Sequence, residues 1–309
     1  MVAEECGEFA EMSSEGDSSR LRTLLEEVSL EHKADVLLYS GELNSRAAND
    51  LINTVCRRTR AENLCLIIRT PGGDAGAAYK IGRALQQNYQ QIIGFVESYC
   101  KSAGTLLILG THELVMGDRA ELGPIDVQVY KPDELGERSS GLTHRTYLEF
   151  LHDRALEDFE QFFLPIRYKS ALQISTHTAA EIATNLVVGL MEPIYAQIDP
   201  HRIGESERAM QIAARYGERL QAGGKNVKGN ALSTLLESYP DHGFVIDIEE
   251  ARLLFNRVRR PQEAETTLLE LAHPILSDIA SQERGTPFAY LEDILREAAK
   301  VEGDASGTN

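Results

Sequence analysis

Two strand-turn-helix stretches, set about thirty residues apart, constrain the fold of this chain more than any other feature in it. The first is a run of strand-type residues, Leu64 to Ile68, that reaches Thr70-Pro71-Gly72-Gly73-Asp74 and opens into the helical stretch Ala77 to Gln87. The second is Ile92 to Val96, a short polar turn through Tyr99-Cys100-Lys101, and Ser102-Ala103-Gly104-Thr105 at the head of the apolar segment Leu106 to Leu109. Glycine adopts positive φ without a steric penalty, so Gly72 and Gly73 let a reacting carbonyl approach backbone N–H groups closely. Ser102 is placed at a helix N-terminus, where unpaired N–H groups favour developing negative charge.

The neighbouring sequence repeats the same alternation. Strands are expected at Val36 to Tyr39, Leu64 to Ile68, Ile92 to Val96 and Glu113 to Met116, with helices at Ser45 to Arg58, Ala77 to Gln87 and Ser102 to Gly110. Right-handed crossovers then wind parallel β-α units into a superhelical stack. Residues 1–30 read as an acidic, flexible lead with a short amphipathic helix around Arg20 to Val28, and residues 31–260 as the main domain. A helical insertion spans about 142–235, in which Tyr147, Phe150, Leu151, Leu156 and Phe159 recur at helical spacing. Within it Thr178-Ala179-Ala180-Glu181 reads as a capping box, and Ser206 to Ala222 as a helix ending at Gly223-Gly224. After a strand at Phe244 to Ile246 and a helix at Glu249 to Phe255, residues 261–309 form a C-terminal extension with helices near Glu263 to Ser277 and Phe288 to Lys300.

Composition narrows the function classes. A formal charge of −17 over 309 residues speaks against a nucleic-acid partner, which needs clustered Lys and Arg. No apolar run approaches the length of a membrane-spanning helix, and Met1 to Asp17 carries acids and no basic residue, the opposite of a secretory signal. The four cysteines, Cys6, Cys56, Cys65 and Cys100, have neither C-x-x-C pairing nor metal-ligand spacing. The expectation is a cytoplasmic protein with no metal and no cofactor.

Thr70-Pro71-Gly72-Gly73 with Ser102-Ala103-Gly104-Thr105 resembles the superfamily of the Clp protease proteolytic subunit, signal peptide peptidase A and the crotonases. The branch most similar is that of the serine dehydrogenase proteinases, itself related to the stomatin-specific protease. Leu122-Gly123-Pro124-Ile125-Asp126-Val127-Gln128 and Tyr239-Pro240-Asp241-His242-Gly243-Phe244 also fit that branch. The resemblance implies an α/β Clp protease/crotonase-like superhelical stack of β-β-α units, here carrying a helical insertion and a helical C-terminal extension. It further implies a serine peptidase acting on peptides or unfolded protein segments, assembled as a homo-oligomer without membrane insertion.

Carried onto this chain, the resemblance makes Ser102 the nucleophile, with an oxyanion hole from the N–H groups of Gly72 or Gly73 and of Ala103. The general base is less direct. Relatives that use a lysine place it where this chain has Thr143, beside His144 and Arg145; Lys131 lies earlier. In the Clp-type alignment Asp126 occupies the histidine slot and His242 the aspartate slot, so the two residue types are exchanged. A Ser102–His242–Asp126 constellation follows if His242 is the base and Asp126 its orienter, since triads are defined by geometry and role. His144 and a lysine such as Lys131 remain alternatives, and Cys100 reads as a buried filler. Two other functions share these motifs: an inactive peptidase-fold scaffold or regulatory protein that lost its base, and a crotonase-type acyl-CoA enzyme.

Overall fold

Aliphatic and β-branched runs without alternating polar residues are what a parallel strand covered on both faces requires. The computed structural model places them so; it describes residues 15–58, 61–125, 128–130, 138–169, 173–281 and 285–306. In chain order the elements begin α1 (Glu15–His32), β1 (Ala34–Ser40), α2 (Ser45–Arg57), β2 (Asn63–Thr70), α3 (Ala75–Asn88), β3 (Ile92–Cys100), α4 (Ala103–Ile108), β4 (Glu113–Met116) and β5 (Glu121–Leu122). They continue with β6 (Gln128–Tyr130), β7 (Arg138–Ser140), α5 (Gly141–Lys169), α6 (Thr176–Tyr195), α7 (Pro200–Gly224), α8 (Ala231–Glu237) and α9 (Ile248–Leu254). The last are β8 (Val258–Arg259), α10 (Glu263–Ser281), β9 (Phe288–Tyr290) and α11 (Leu291–Ser306).

The chain divides into two compact units, Met1–Asp126 with Gln211–Asn309, and Val127–Met210. The first contains the sheet, in the order β8-β4-β3-β2-β1-β9, with β5 added to the C-terminal end of β3. All of these pairs are parallel except β1 with β9. Strand side chains alternate between faces. Val36, Leu38, Cys65, Ile67, Ile93, Phe95 and Val115 therefore point to one side, where they pack with apolar residues of α1, α10 and α11. Each such side chain contributes about 1.5–3 kcal/mol by its burial. On the opposite face Gly94 lies beneath α4, where an added Cβ would come within 3.0 Å of Ile108 Cδ1.

One buried ion pair pins α10 to the sheet edge. Glu265 is fully buried and receives the Arg259 guanidinium at 2.6 and 2.7 Å and His32 Nε2 at 2.9 Å. Burial alone would raise its pKa, but hydrogen bonds from Arg259, His32 and the Gln262 N–H outweigh that and hold the carboxyl down at about 2.

Several elements differ from the sequence expectation. Residues 15–32 form α1, which places Leu21, Leu25 and Val28 in the core where a flexible lead with a shorter helix was expected. Phe288–Tyr290 is not the start of a helix; it is an edge strand, with Tyr39 opposite Phe288, and the helix begins at Leu291. Phe244 to Ile246 is not a strand either. The N–H groups of Gly243 and Phe244 turn back to Asp241, leaving only Ile246 to bridge Leu122. In the second unit, α6 is capped by Ser175, whose Oγ accepts the Thr178 N–H at 3.0 Å. Thr178 therefore lies inside the helix instead of heading a capping box, because Ser175 offers the same hydroxyl three residues earlier.

That second unit, described by itself, consists of the β6-β7 hairpin, α5 packed against α6, and the first part of α7. On α5, Phe159 and Phe163 stack with ring centroids 5.6 Å apart, and Arg154 pairs with Asp158 one turn on at 2.9 Å.

Candidate active site

Two consecutive crossovers bring the glycine turn and the serine turn together. β2 ends at Thr70 and β3 at Cys100, paired with one another, so Pro71-Gly72-Gly73 and Lys101-Ser102-Ala103 leave the sheet side by side. Gly72 has φ 108° and sits against the serine turn: a Cβ there would lie 2.9 Å from Lys101 O and 3.0 Å from Ser102 Cβ. Gly73, at φ 133°, is held from the other side, where an added Cβ would fall 2.2 Å from Leu43 O. Neither position admits a side chain, which is the physical reason for the paired glycines.

The glycine turn is locked by its own chain. Thr70 Oγ1 accepts the Gly72 N–H at 3.1 Å and lies 3.3 Å from Gly72 O, while Leu43 N–H donates to Gly72 O and Asp74 N–H to Leu43 O. Asp74 then caps α3, its Oδ1 accepting from Gly76 N–H at 2.5 Å and Ala77 N–H at 3.0 Å. The Gly72 N–H is thus already in use. Neither the Gly73 N–H nor the Ala103 N–H has a hydrogen-bond partner among the described residues.

Ser102 precedes α4 in an unusual conformation, φ 48° and ψ −112°, and its side chain makes no capping bond to that helix. A non-glycine residue at positive φ stores strain that the surroundings must sustain. Those surroundings are tight. Thr105, fully buried, donates from Oγ1 toward Cys100 O at 3.0 Å and Gly123 O at 2.7 Å. Gly104 fits only because it lacks a side chain, since a Cβ would come 2.5 Å from Thr70 Cγ2 and 2.7 Å from Cys100 Sγ.

Around this centre the other candidates fall out unequally. Burial pushes the Cys100 thiol far above its ordinary range, so it fills space and does not ionise. Lys101 Nζ is engaged by Glu121 at 2.9 Å and lies 3.4 Å from Leu122 O. The His242 loop is next but one along the backbone: Cys100 pairs with Leu122, and Leu122 exchanges both backbone bonds with Ile246 at 2.9 and 3.0 Å. That loop is stiffened by the Tyr239 and Phe244 rings, 4.7 Å apart, by Tyr239 Oη to Glu250 at 2.6 Å, and by Gly243 N–H to Asp241 at 2.7 Å. His242 is half-buried. Asp126 and Lys131 lie outside the described residues, as does the side chain of His144 on α5. Sequence reasoning gave no role to Thr70, which locks the glycine turn, or to Thr105. A threonine directly before Pro-Gly-Gly, with a free hydroxyl and a stiff χ1, is the signal that could have marked the first.

Residues 47–134, which contain both turns, match the family model for "ClpP-like SDH-type serine proteinase". The segment resembles a ClpP-like SDH-type serine proteinase. An uncharacterized protein of Methanocaldococcus jannaschii is 32% identical over 82 residues, 26% of this chain and 29% of that protein. A second uncharacterized protein of the same organism is 38% identical over 64 residues, 21% of this chain and 22% of its own. The alignments therefore span less than a third of either relative. Among solved structures, a membrane-bound stomatin-specific protease, studied as a serine-to-alanine mutant, aligns with 47% of this chain and 67% of its own at 19% identity and a TM-score of 0.29. The matched segment ends just beyond β6, so it covers the two turns and not the His242 loop.

Proposed function

We propose that this chain is a serine peptidase that cleaves peptides or unfolded protein segments through an acyl-enzyme on Ser102. The observation that carries the reading is the apposition of the strained Ser102 turn to Gly72, with two N–H groups beside it, those of Gly73 and Ala103, that have no partner among the described residues. Ser102 Oγ adds to the scissile carbonyl carbon and its proton passes to His242, while the oxyanion accepts hydrogen bonds from Gly73 and Ala103. Collapse of the tetrahedral species breaks the C–N bond, and the amine leaves with the proton from the imidazolium. Water then repeats the sequence on the ester and frees Ser102. Asp126 orients His242. Gly72, whose N–H serves Thr70, supplies the close backbone surface and not a donor.

The protein works in the cytoplasm as a homo-oligomer. Cys56, Cys65 and Cys100 are free thiols, in keeping with a reducing compartment. No helix among the described residues is long and apolar enough to cross a membrane. Exposed Ile182, Leu186, Val188 and Leu190 on α6 give the second unit apolar surface suited to self-association.

A fluorophosphonate probe tests the reading. Stoichiometric labelling that disappears in Ser102→Ala supports the acyl-enzyme; a folded protein that takes no label argues for the scaffold or acyl-CoA alternatives instead.

A further inference from the structure

We propose that Lys101 is a positioning residue for the nucleophile: through its ion pair with Glu121 it fixes the Ser102 turn to the strand that leads to the His242 loop. The inference rests on the peptidase reading above and adds to it a residue that acts on the reaction only through Ser102.

The need for such a tie lies in β3. That strand follows β2 in register from the Leu64–Ile92 pair to the Ile68–Val96 pair. It then places three residues, Glu97 to Tyr99, where β2 has the single Arg69 before Thr70 meets Cys100. This bulge takes Glu97 and Ser98 out of the ladder. β4 gives no support there either, since its last pair is Met116 with Val96. The strand re-enters the sheet at Tyr99 and Cys100, against the two residues of β5, Glu121 and Leu122. Ser102 therefore follows a short end of strand, while its backbone holds φ 48°, a conformation that relaxes unless the surroundings oppose it.

Lys101 supplies that opposition from several sides. Its N–H donates to Thr70 O at 3.0 Å, and its carbonyl accepts the Gly104 N–H at 2.8 Å. Its stem runs across Gly123, where an added Cβ would come 2.6 Å from Lys101 Cδ, so the glycine leaves room for the stem. The ammonium then meets Glu121 Oε1 at 2.9 Å, with Leu122 O 3.4 Å away. The two side chains are 15% and 30% exposed, which shields the pair from the screening that makes a fully exposed pair weak. β5 leads in turn to the proposed base, because Leu122 exchanges both backbone bonds with Ile246, in the segment that follows His242. The ion pair thus ties the strand end that carries Ser102 to the strand from which the His242 loop hangs. Its loss would leave the oxyanion donors in place but let the hydroxyl and the imidazole drift apart, and a misplacement of about 1 Å costs on the order of a hundredfold in rate.

Saturation kinetics of a fluorophosphonate probe on the full chain separate an effect on probe binding (KI) from an effect on the acylation step (kinact). Lys101→Met keeps the stem and removes the charge; Glu121→Gln removes the other charge from the more exposed side of the pair and guards against misfolding of the first variant. Each should lower kinact by about tenfold or more with KI unchanged and labelling still complete at long times. The double variant should be no slower than either single one, because both substitutions remove the same pair. Unchanged kinact in the folded single variants, a loss confined to KI, or losses that multiply in the double variant would overturn the proposal. A wild-type chain that takes no label would remove the peptidase reading, and this inference with it; a labelled wild type with variants that react equally fast would remove the inference alone.

Discussion

The two crossover turns that meet at the candidate site do opposite things with their helices. After the glycine turn, Asp74 caps α3 and takes up two of its first N–H groups. After the serine turn, Ser102 occupies the capping position of α4 but its side chain makes no capping bond, and the Ala103 N–H has no partner among the described residues. One helix start is chemically closed; the other stays open. A capped terminus is worth about 1 kcal/mol, and forgoing that while holding Ser102 at φ 48° costs a further ~1–3 kcal/mol. In the mechanism proposed above, the first turn is a rigid wall and the second the reactive edge placed against it.

Substitutions that treat the two turns differently probe this contrast. Ser102→Ala should have the largest effect, abolishing fluorophosphonate labelling and lowering peptide hydrolysis by up to about a million-fold. His242→Ala should come next, with a fall of about ten-thousand-fold in the rate of Ser102 acylation; undiminished acylation would remove His242 as the base. Gly72→Ala introduces a Cβ 3.0 Å from Ser102 Cβ at a φ of 108°, prising wall from edge. It should lower kcat by about a hundredfold or more with little change in KM, if transition-state donors are what is displaced. Asp74→Ala should have the smallest effect, a loss of about 1 kcal/mol seen as a melting temperature several degrees lower, with labelling intact. Lost labelling in the capped-turn variant, at unchanged fold, would mean that the two turns are not functionally distinct.

The central strands were legible because their periodicity is local. Val36 to Tyr39, Leu64 to Ile68 and Glu113 to Met116 emerge as β1, β2 and β4 with at most small extensions. β3 runs on past Val96 to Cys100 through Glu97 and Ser98, which pair with neither neighbour; the pairing resumes with Tyr99 against Glu121 and Cys100 against Thr70 and Leu122. Val258–Arg259 and Phe288–Tyr290 are strands for the same non-local reason, each defined by the neighbour it meets and not by its own pattern. At the site, the glycines and Ser102 could be read from their motifs. Which glycine N–H remains unengaged could not, because it depends on where the Thr70 hydroxyl settles.

The bulge in β3 has a property of parity. It adds an even number of residues, two, between the Val96 and Cys100 pairs, so the alternation of faces resumes in phase with that of β2. The outcome is visible in the crowding of Gly104 by Thr70 Cγ2 and Cys100 Sγ together, one side chain from each strand on a single face. The serine turn is thereby kept on the same side of the sheet as the glycine turn, with Ser102 beside Gly72, although the segment of β3 just before it makes no pair with β2.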